Sequence, residues 1–514
     1  MINKYVLKLF LWSFLFLSQT PISSQELYVS SSGAFYVNSK ALVSVNDITV
    51  SSEGTVSFIS DNTNSPSLFV SGSATGVVTY ERYVGDTNWH VFSSPVTSQS
   101  INDFALNANN NIATNGAKYA IGAYKNANNS NARWDYFTTA TAPEAGNFIT
   151  GQGYTFKKNA AGTFVFMGNV ATSDVTVSLN TLSGGHYWHG VGNPFTAFLP
   201  VNNNTAVTNL LGQNLEVFDP SYAALYLWDG AEYVPVNHLS DALQLAPGQA
   251  FMVRVKDASE NFTFSKSLVT HQTAVTTLYK GISIPSVTLQ LKENSVVKTA
   301  SIKFLESATL GLDVGYDAGA YQNSKPSFAI HTHLVENDEG VDYTLQALPN
   351  NRYDDLVIPL SVYATSGTTI ELQAIPENLP ENIPLYIEDK VLQTFKKVSD
   401  SASYQVTLSE TIAGIGRFYL HTSAGKSLAV EEAQLLSVHI FITDTNVLRV
   451  HGIIPGKKAS IALYSLLGKE IFSSAFVASD THEIILPNTI SKGVYVVKVT
   501  SDTGLFSTKK IVLQ

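Results

Sequence analysis

The chain closes on Gly493-Val494-Tyr495-Val496-Val497-Lys498-Val499, a short turn at Ser501–Gly504, and Lys509-Lys510-Ile511-Val512-Leu513-Gln514. These residues read as two strands around a turn, with lysines on the second. The pattern extends upstream. Val438, Ile440 and Ile442 alternate, as do Val447 and Arg449 against Leu448 and Val450. Ser460–Leu463 leads into Leu467-Gly468-Lys469, a turn joining two strands, and Glu483–Leu486 follows. About six or seven strands in so short a module predict an Ig-like sandwich over residues 437–514, because two half-apolar sheets bury each other's faces.

Residues 276–425 read as a second β domain. Ser286–Lys292, Ala300–Leu305, Tyr343–Ala347, Leu356–Val362, Thr369–Ala374 and Arg417–His421 are among its strands, and residues 426–436 are a linker. Residues 81–275 form an aromatic-rich β domain that holds Trp89, Trp134, Trp188 and Trp228, with Asn-rich loops at Asn107–Asn111 and Asn126–Asn131. In residues 25–80 the pairs Phe35/Val37, Val43/Val45, Ile48/Val50 and Val56/Phe58 each share one strand face. Gly33, Asn46-Asp47, Gly54 and Asp61-Asn62 punctuate them. That segment is either a short β-solenoid or part of a sandwich. The expected class is all-β, with several sandwich-like domains.

Composition agrees with this reading. Apolar residues make up 44% of the 514 and charged ones only 14%, well below the usual quarter. The net charge is −10 and no basic stripe occurs, so nucleic acid is not an expected partner. The absence of cysteine excludes disulfides, thiolate zinc sites and a cysteine nucleophile. Lys4 and Lys8 flank the apolar run Leu9–Leu17, with small and polar residues through Ser24. This is a signal peptide over residues 1–24, cut after Ser24 or after Thr20. The run rises about 13–14 Å as a helix, too short for a ~30 Å hydrocarbon slab. No transmembrane helix is expected in the mature chain.

The terminal module resembles the type A C-terminal sorting domain of the Bacteroidetes type IX secretion system. The matching residues are Tyr464-Ser465-Leu466-Leu467-Gly468-Lys469-Glu470, the strand Ser491–Val499 and the closing Lys509-Lys510-Ile511-Val512. The resemblance implies a Por secretion tail read by the type IX machinery. It also implies outer-membrane translocation, removal of the module and, often, attachment to surface lipopolysaccharide. Gly468, Gly493 and Tyr495 are the residues expected to matter for export, and Lys509 and Lys510 for recognition. The two lysines also suit an edge strand blunted by charge. The middle resembles a region of Flavobacteria-type surface proteins through Tyr80-Glu81-Arg82-Tyr83-Val84, Gly190-Val191-Gly192-Asn193-Pro194-Phe195 and Gly311–Ala318. That group is described as secreted and adhesin-like, and it carries no transferable reaction.

Candidate chemistry is sparse. His331-Thr332-His333 puts two imidazoles on one strand face near Glu336, Asp338 and Glu339. His331, His333 and Asp338 are thus the metal candidates, against a plain histidine pair beside an acidic turn. Calcium at Glu336–Asp342 is the one cofactor left open. His186 and His189 lie three apart, so a strand would send them to opposite faces. Packing of Tyr187 and Trp188 explains that stretch better than liganding. No G-x-S-x-G elbow, H-E-x-x-H helix or phosphate loop occurs, and no catalytic residues are assigned. Trp89, Trp134, Tyr136, Trp188 and Trp228 offer either core packing or a sugar platform, with Trp134 the expected ligand contact. The sequence therefore reads as an exported, non-catalytic surface adhesion or interaction protein. A polysaccharide-binding accessory protein and a secreted hydrolase are the alternatives, and surface glycans the expected class of partner.

Overall fold

The alternating pairs near the amino terminus wind into a solenoid. In the computed structural model of the protein, seven strands follow one another: β1 (Ile22–Val29), β2 (Ala34–Val37), β3 (Leu42–Val50), β4 (Thr55–Ile59), β5 (Ser67–Val70), β6 (Ala74–Thr75) and β7 (Val78–Val84). β1 pairs in parallel with β3, and β3 with β5 and β6. β2 pairs in parallel with β4, and β4 with β7. The chain thus alternates between two parallel sheets. Paired residues lie roughly 20–25 positions apart, near the lower end of solenoid repeat lengths. Val43, Val45, Val56, Phe58 and Tyr80 are all buried in the core of this region. Asn46-Asp47, expected as a turn, lies inside β3 instead. Asp47 Oδ1 accepts from Ser73 N and Ser73 Oγ, both at 2.7 Å, so the polar pair ties one coil to the next. Cleavage after Thr20 would leave β1 whole, whereas cleavage after Ser24 would remove its first three residues.

The structure describes residues 22–126, 133–182, 184–203, 208–272, 284–321, 325–380, 383–423, 438–442, 447–453, 456–479, 481–501 and 506–513. The expected linker at 426–436 and nearly all of the expected signal peptide lie outside them. About 53% of the structure is strand and 5% helix, so the all-β expectation holds. Two compact units divide it, residues up to 278 and residues from 279.

Within the first unit the solenoid core continues into later strands. Gly162–Gly168 pairs antiparallel with β7. Phe92, Phe104, Phe148, Phe156, Phe164 and Phe166 form one ring cluster. A short helix, Ile101–Leu106, starts where Ser100 Oγ accepts from Asp103 N at 3.1 Å. This capping signal was present in the sequence but was overshadowed by the strand pattern. A second core collects Val191, Leu225, Phe251 and Phe262 from later antiparallel strands.

The second unit is built on an eleven-stranded, nearly closed sheet. It runs from Thr394–Val398 and Leu385–Asp389 through Ile412–His421, Val357–Ala364, Ala329–Thr332 and Tyr343–Pro349, then on through Val296–Leu305, Ser286–Glu293 and Thr369–Glu377 to Tyr404–Thr407. A buried latch joins its two ends. Tyr404, on the last strand, donates its hydroxyl to Asp389 Oδ2 at 2.9 Å. Arg417 grips the same carboxylate through Nε and Nη2 at 2.9–3.2 Å. Asp389 and Arg417 are 0% and 3% exposed.

The terminal module is the expected sandwich. One sheet holds His439–Ile442, Val447–His451 and Thr481–Ile485. The other holds Glu470–Val477, Lys458–Ser465, Gly493–Ser501 and Phe506–Leu513. Ile440, Leu448, Val450, Ile461, Leu463, Val497, Val499, Ile511 and Leu513 fill the space between them.

Removing one partner of a buried ion pair strands the other charge. Asp389→Ala is therefore expected to lower stability by about 3–5 kcal/mol, and Tyr404→Phe by about 1 kcal/mol, in urea unfolding. An Asp389→Ala transition that matches the wild type would remove the latch from the account.

Candidate functional site

Trp134 and Tyr136 stand two apart on the strand Trp134–Thr138 and share a face, while Phe137, the next residue along, turns to the core on the other face. Strand register sets Trp134 opposite Tyr124, with the rings edge-on at 5.1 Å. Tyr124 meets His186 at 5.7 Å. In the other direction the Tyr136 ring lies 5.5 Å from Trp89. Trp228 donates its indole N–H to the Trp89 carbonyl at 2.9 Å and lies 5.0 Å from the Tyr233 ring. Lys157 Nζ sits 5.8 Å from the Trp89 ring. Every ring in this row is half-buried. Trp188 differs: it is 2% exposed and edge-on to Tyr222 and Tyr226 in the interior. Four of the five aromatics named as a platform thus come together, and the fifth is core. The carboxylates beside the row have partners: Asp135 pairs with Lys125, and Asp86 Oδ1 lies 2.9 Å from His90 Nε2.

The histidine motifs take other roles. His189 is buried, with Asn126 Nδ2 at 3.3 Å and Thr181 Oγ1 at 3.2 Å from its Nε2. Burial, reinforced by His186, holds its pKa down to about 4, so it is neutral. His186 precedes the strand Trp188–Gly192 rather than lying on it.

His333 is 3% exposed and sits between two carboxylates. Its Nδ1 faces both oxygens of Asp338 at 3.0 and 3.1 Å, and its Nε2 faces Asp342 Oδ1 at 2.9 Å. Both nitrogens meet acceptors, so the ring carries both protons. Burial pushes the imidazolium pKa down, but Asp338 and Asp342 outweigh it and raise the value to about 10. Burial likewise pushes both carboxylates up, yet the imidazolium holds them well below the usual range. Tyr363 donates to Asp342 Oδ2 at 2.7 Å. A doubly protonated ring has no lone pair for a metal, and these two acids turn oxygens on His333 that a calcium ion would need. His331 lies near enough to Asp342 to stabilise its charge. Among the described residues no group of three or more His, Cys, Asp or Glu is placed to hold a metal ion.

The terminal sandwich meets this loop. Lys509 donates its ammonium to the Asp338 carbonyl. His439 Nδ1 is 3.5 Å from Asp338 Oδ2. Phe441 covers Gly340, whose φ is +82° and where a Cβ would come within 2.5 Å of the ring. His451 Nδ1 lies 3.1 Å from the Ile415 carbonyl. Of the other sorting candidates, Gly468 takes φ +82° in the exposed hairpin turn and Gly493 opens its strand at φ +156°. The Tyr495 hydroxyl donates to Ser491 O at 2.7 Å, and Lys510 is exposed. The sequence reading did not include His439, Phe441 or Tyr363. The inward alternation of Ile440 and Ile442 already implied an outward His439 and Phe441.

Residues 15–421 match a family model described as "Domain of unknown function (DUF8693)". The chain belongs to that family. Beyond the DUF8693 region, residues 443–514 match the secretion system C-terminal sorting domain. The protein is therefore a Bacteroidetes-type secreted protein, exported by type IX secretion to the cell surface or the exterior. No curated protein matches. Among solved structures, the DUF8693 protein is similar to a tetra-tandem repeat in the extending region of a large adhesion protein. Identity there is 6%, over 62% of this chain and 98% of that one, with a TM-score of 0.12. A biofilm-associated protein BSP domain is 9% identical over 84% and 92%, with a TM-score of 0.16. TM-scores this low establish no shared fold. No described helix is long and apolar enough to cross a membrane.

The His333 network sets a pH dependence. Its folded pKa lies above the ordinary 6.5, so its contribution is complete below that value and is lost as pH rises toward about 10. The two carboxylates act in the opposite sense: their contribution is present above the ordinary 3.8 and is lost as pH falls. Stability of the second unit is expected to decline between pH 7 and 10, with a flatter profile in His333→Gln. Equal slopes for the two proteins in a pH series of urea melts would refute the bridging role.

Proposed function

We propose that the exported protein is a non-catalytic adhesion or interaction protein, and that the row through Trp134, Tyr136, Trp89 and Trp228 is its contact face for carbohydrate. The observation behind this reading is the run of contacts that brings those four half-buried residues together in the first unit. Flat rings stack on the apolar faces of pyranose sugars, and each stacked ring adds to the area that the ligand buries. The neighbouring carboxylates Asp86 and Asp135 are engaged by His90 and Lys125. Such a face favours holding a glycan over cleaving one, since hydrolysis calls for two carboxylates flanking the bond. The bearer would be a Flavobacteria-type cell, in keeping with the motifs of the middle region. Attachment to surface lipopolysaccharide after loss of the terminal module would keep the face at the cell surface.

Glycan arrays probed with the full-length protein are expected to show binding to extended polysaccharides. Trp134→Ala should weaken it about tenfold, with an unchanged thermal melt. An array without ligands, or a Trp134→Ala protein that binds as the wild type does, would defeat the carbohydrate reading. Turnover of a bound glycan, abolished by mutation of one carboxylate, would favour the hydrolase instead.

A further inference from the structure

Neighbouring residues on a strand point to opposite faces, and Lys509 and Lys510 are separated in this way. Lys509, with Ile511 and Leu513, lies on the inward side and reaches the Asp338 carbonyl. Lys510 and Val512 turn outward and are exposed. The sandwich therefore has two unlike sides. The outer side of its three-stranded sheet carries His439, Phe441 and His451, which meet Asp338 and Gly340 of the loop and Ile415 of the large sheet. The outer side of its four-stranded sheet carries valines and lysines among hydroxyl residues, with one acid, Glu470, which accepts from the Tyr464 hydroxyl. Register sets Lys510 against Val496 and Val512 against Val494, and sets Val496 against Tyr464 in turn. Val512 is 50% exposed, as is Val477 at 56% on the far edge strand, opposite Lys458. The chain carries 41 acidic side chains against 31 basic ones, so lysines grouped with valines on one face run against its average.

We propose that this outer face of the four-stranded sheet is the surface bound by the type IX machinery, and that the opposite side of the sandwich is given over to the passenger. The charge specifies the partner: an apolar patch with an acidic rim, matching Lys458 and Lys510 around the valines. A component that reads the module while it is still docked meets the face that docking leaves open. Lys509 is then a docking residue and Lys510 an export residue, although the two are adjacent.

The test compares two double variants of the full chain in the native cell. Lys510→Glu with Val512→Asp should cut the exported fraction at least about tenfold, with the protein retained in the periplasm. Its melting temperature after purification should be unchanged. Lys509→Ala with His439→Ala should be exported normally. With a specific protease site inserted between residues 430 and 431, the cut halves of that docking variant should separate on gel filtration at pH 6, while the otherwise wild-type halves co-elute. Wild-type export of the Lys510/Val512 variant would overturn the proposal, and so would equal loss of export in both variants. If the charge-reversed protein fails to fold, Lys510→Gln with Val512→Thr decides: a normal melt with reduced export supports the proposal, and a normal melt with normal export refutes it.

Discussion

Without a cysteine, this chain has no covalent bond to hold one sheet on another, so burial of one face of every sheet carries the fold. Alternation supplies the apolar faces, and each region finds a different way to cover them. The first coils turn two parallel sheets toward each other. The large sheet of the second unit curls until its ends are latched by Tyr404, Asp389 and Arg417. The terminal module stacks three strands on four. In each case the hydrophobic term is roughly proportional to area and blind to direction.

Direction comes from the few buried charges. Apolar packing alone would let the large sheet close in more than one register, or let the sandwich slide across the loop at Asp338. Ion pairs cost desolvation and contribute modest net stability, but a misplaced partner leaves a charge stranded in the interior. Arg417 on Asp389 and His333 between Asp338 and Asp342 impose that penalty on the wrong arrangements. The loop that His333 organises is the same loop whose carbonyl receives Lys509.

The proposed contact face and the sorting module lie in different units of this DUF8693 protein. The aromatic row belongs to the first unit, where Trp134 and Tyr136 are displayed on a strand whose other face is anchored by Phe137. The address belongs to the end of the second. This division lets the module be lost after export without touching the rings that would meet a ligand.

Much of this was legible in the sequence. Strand positions followed from period-two alternation, which depends only on neighbouring residues. The sorting module was legible because its motif is nearly contiguous. Gly468, Gly493 and the paired lysines were named through the resemblance to that module, whose matching residues stand close together in sequence. The choice between solenoid and sandwich for residues 25–80 was not, because alternating apolar pairs read alike whether the next strand pairs in parallel or antiparallel. Asn46-Asp47 looked like a turn because its tie to Ser73 crosses to the next coil. The alignment of Trp89 with Tyr136 and Trp228 needed three separate strands and loops to converge. The meaning of His333 depended on acids five and nine residues away and on Lys509, far downstream. A sequence determines which faces are apolar and which residues carry charge. Which faces meet, and which charge answers which, was settled only by the folded chain, because those energies depend on distances through space that chain position does not encode.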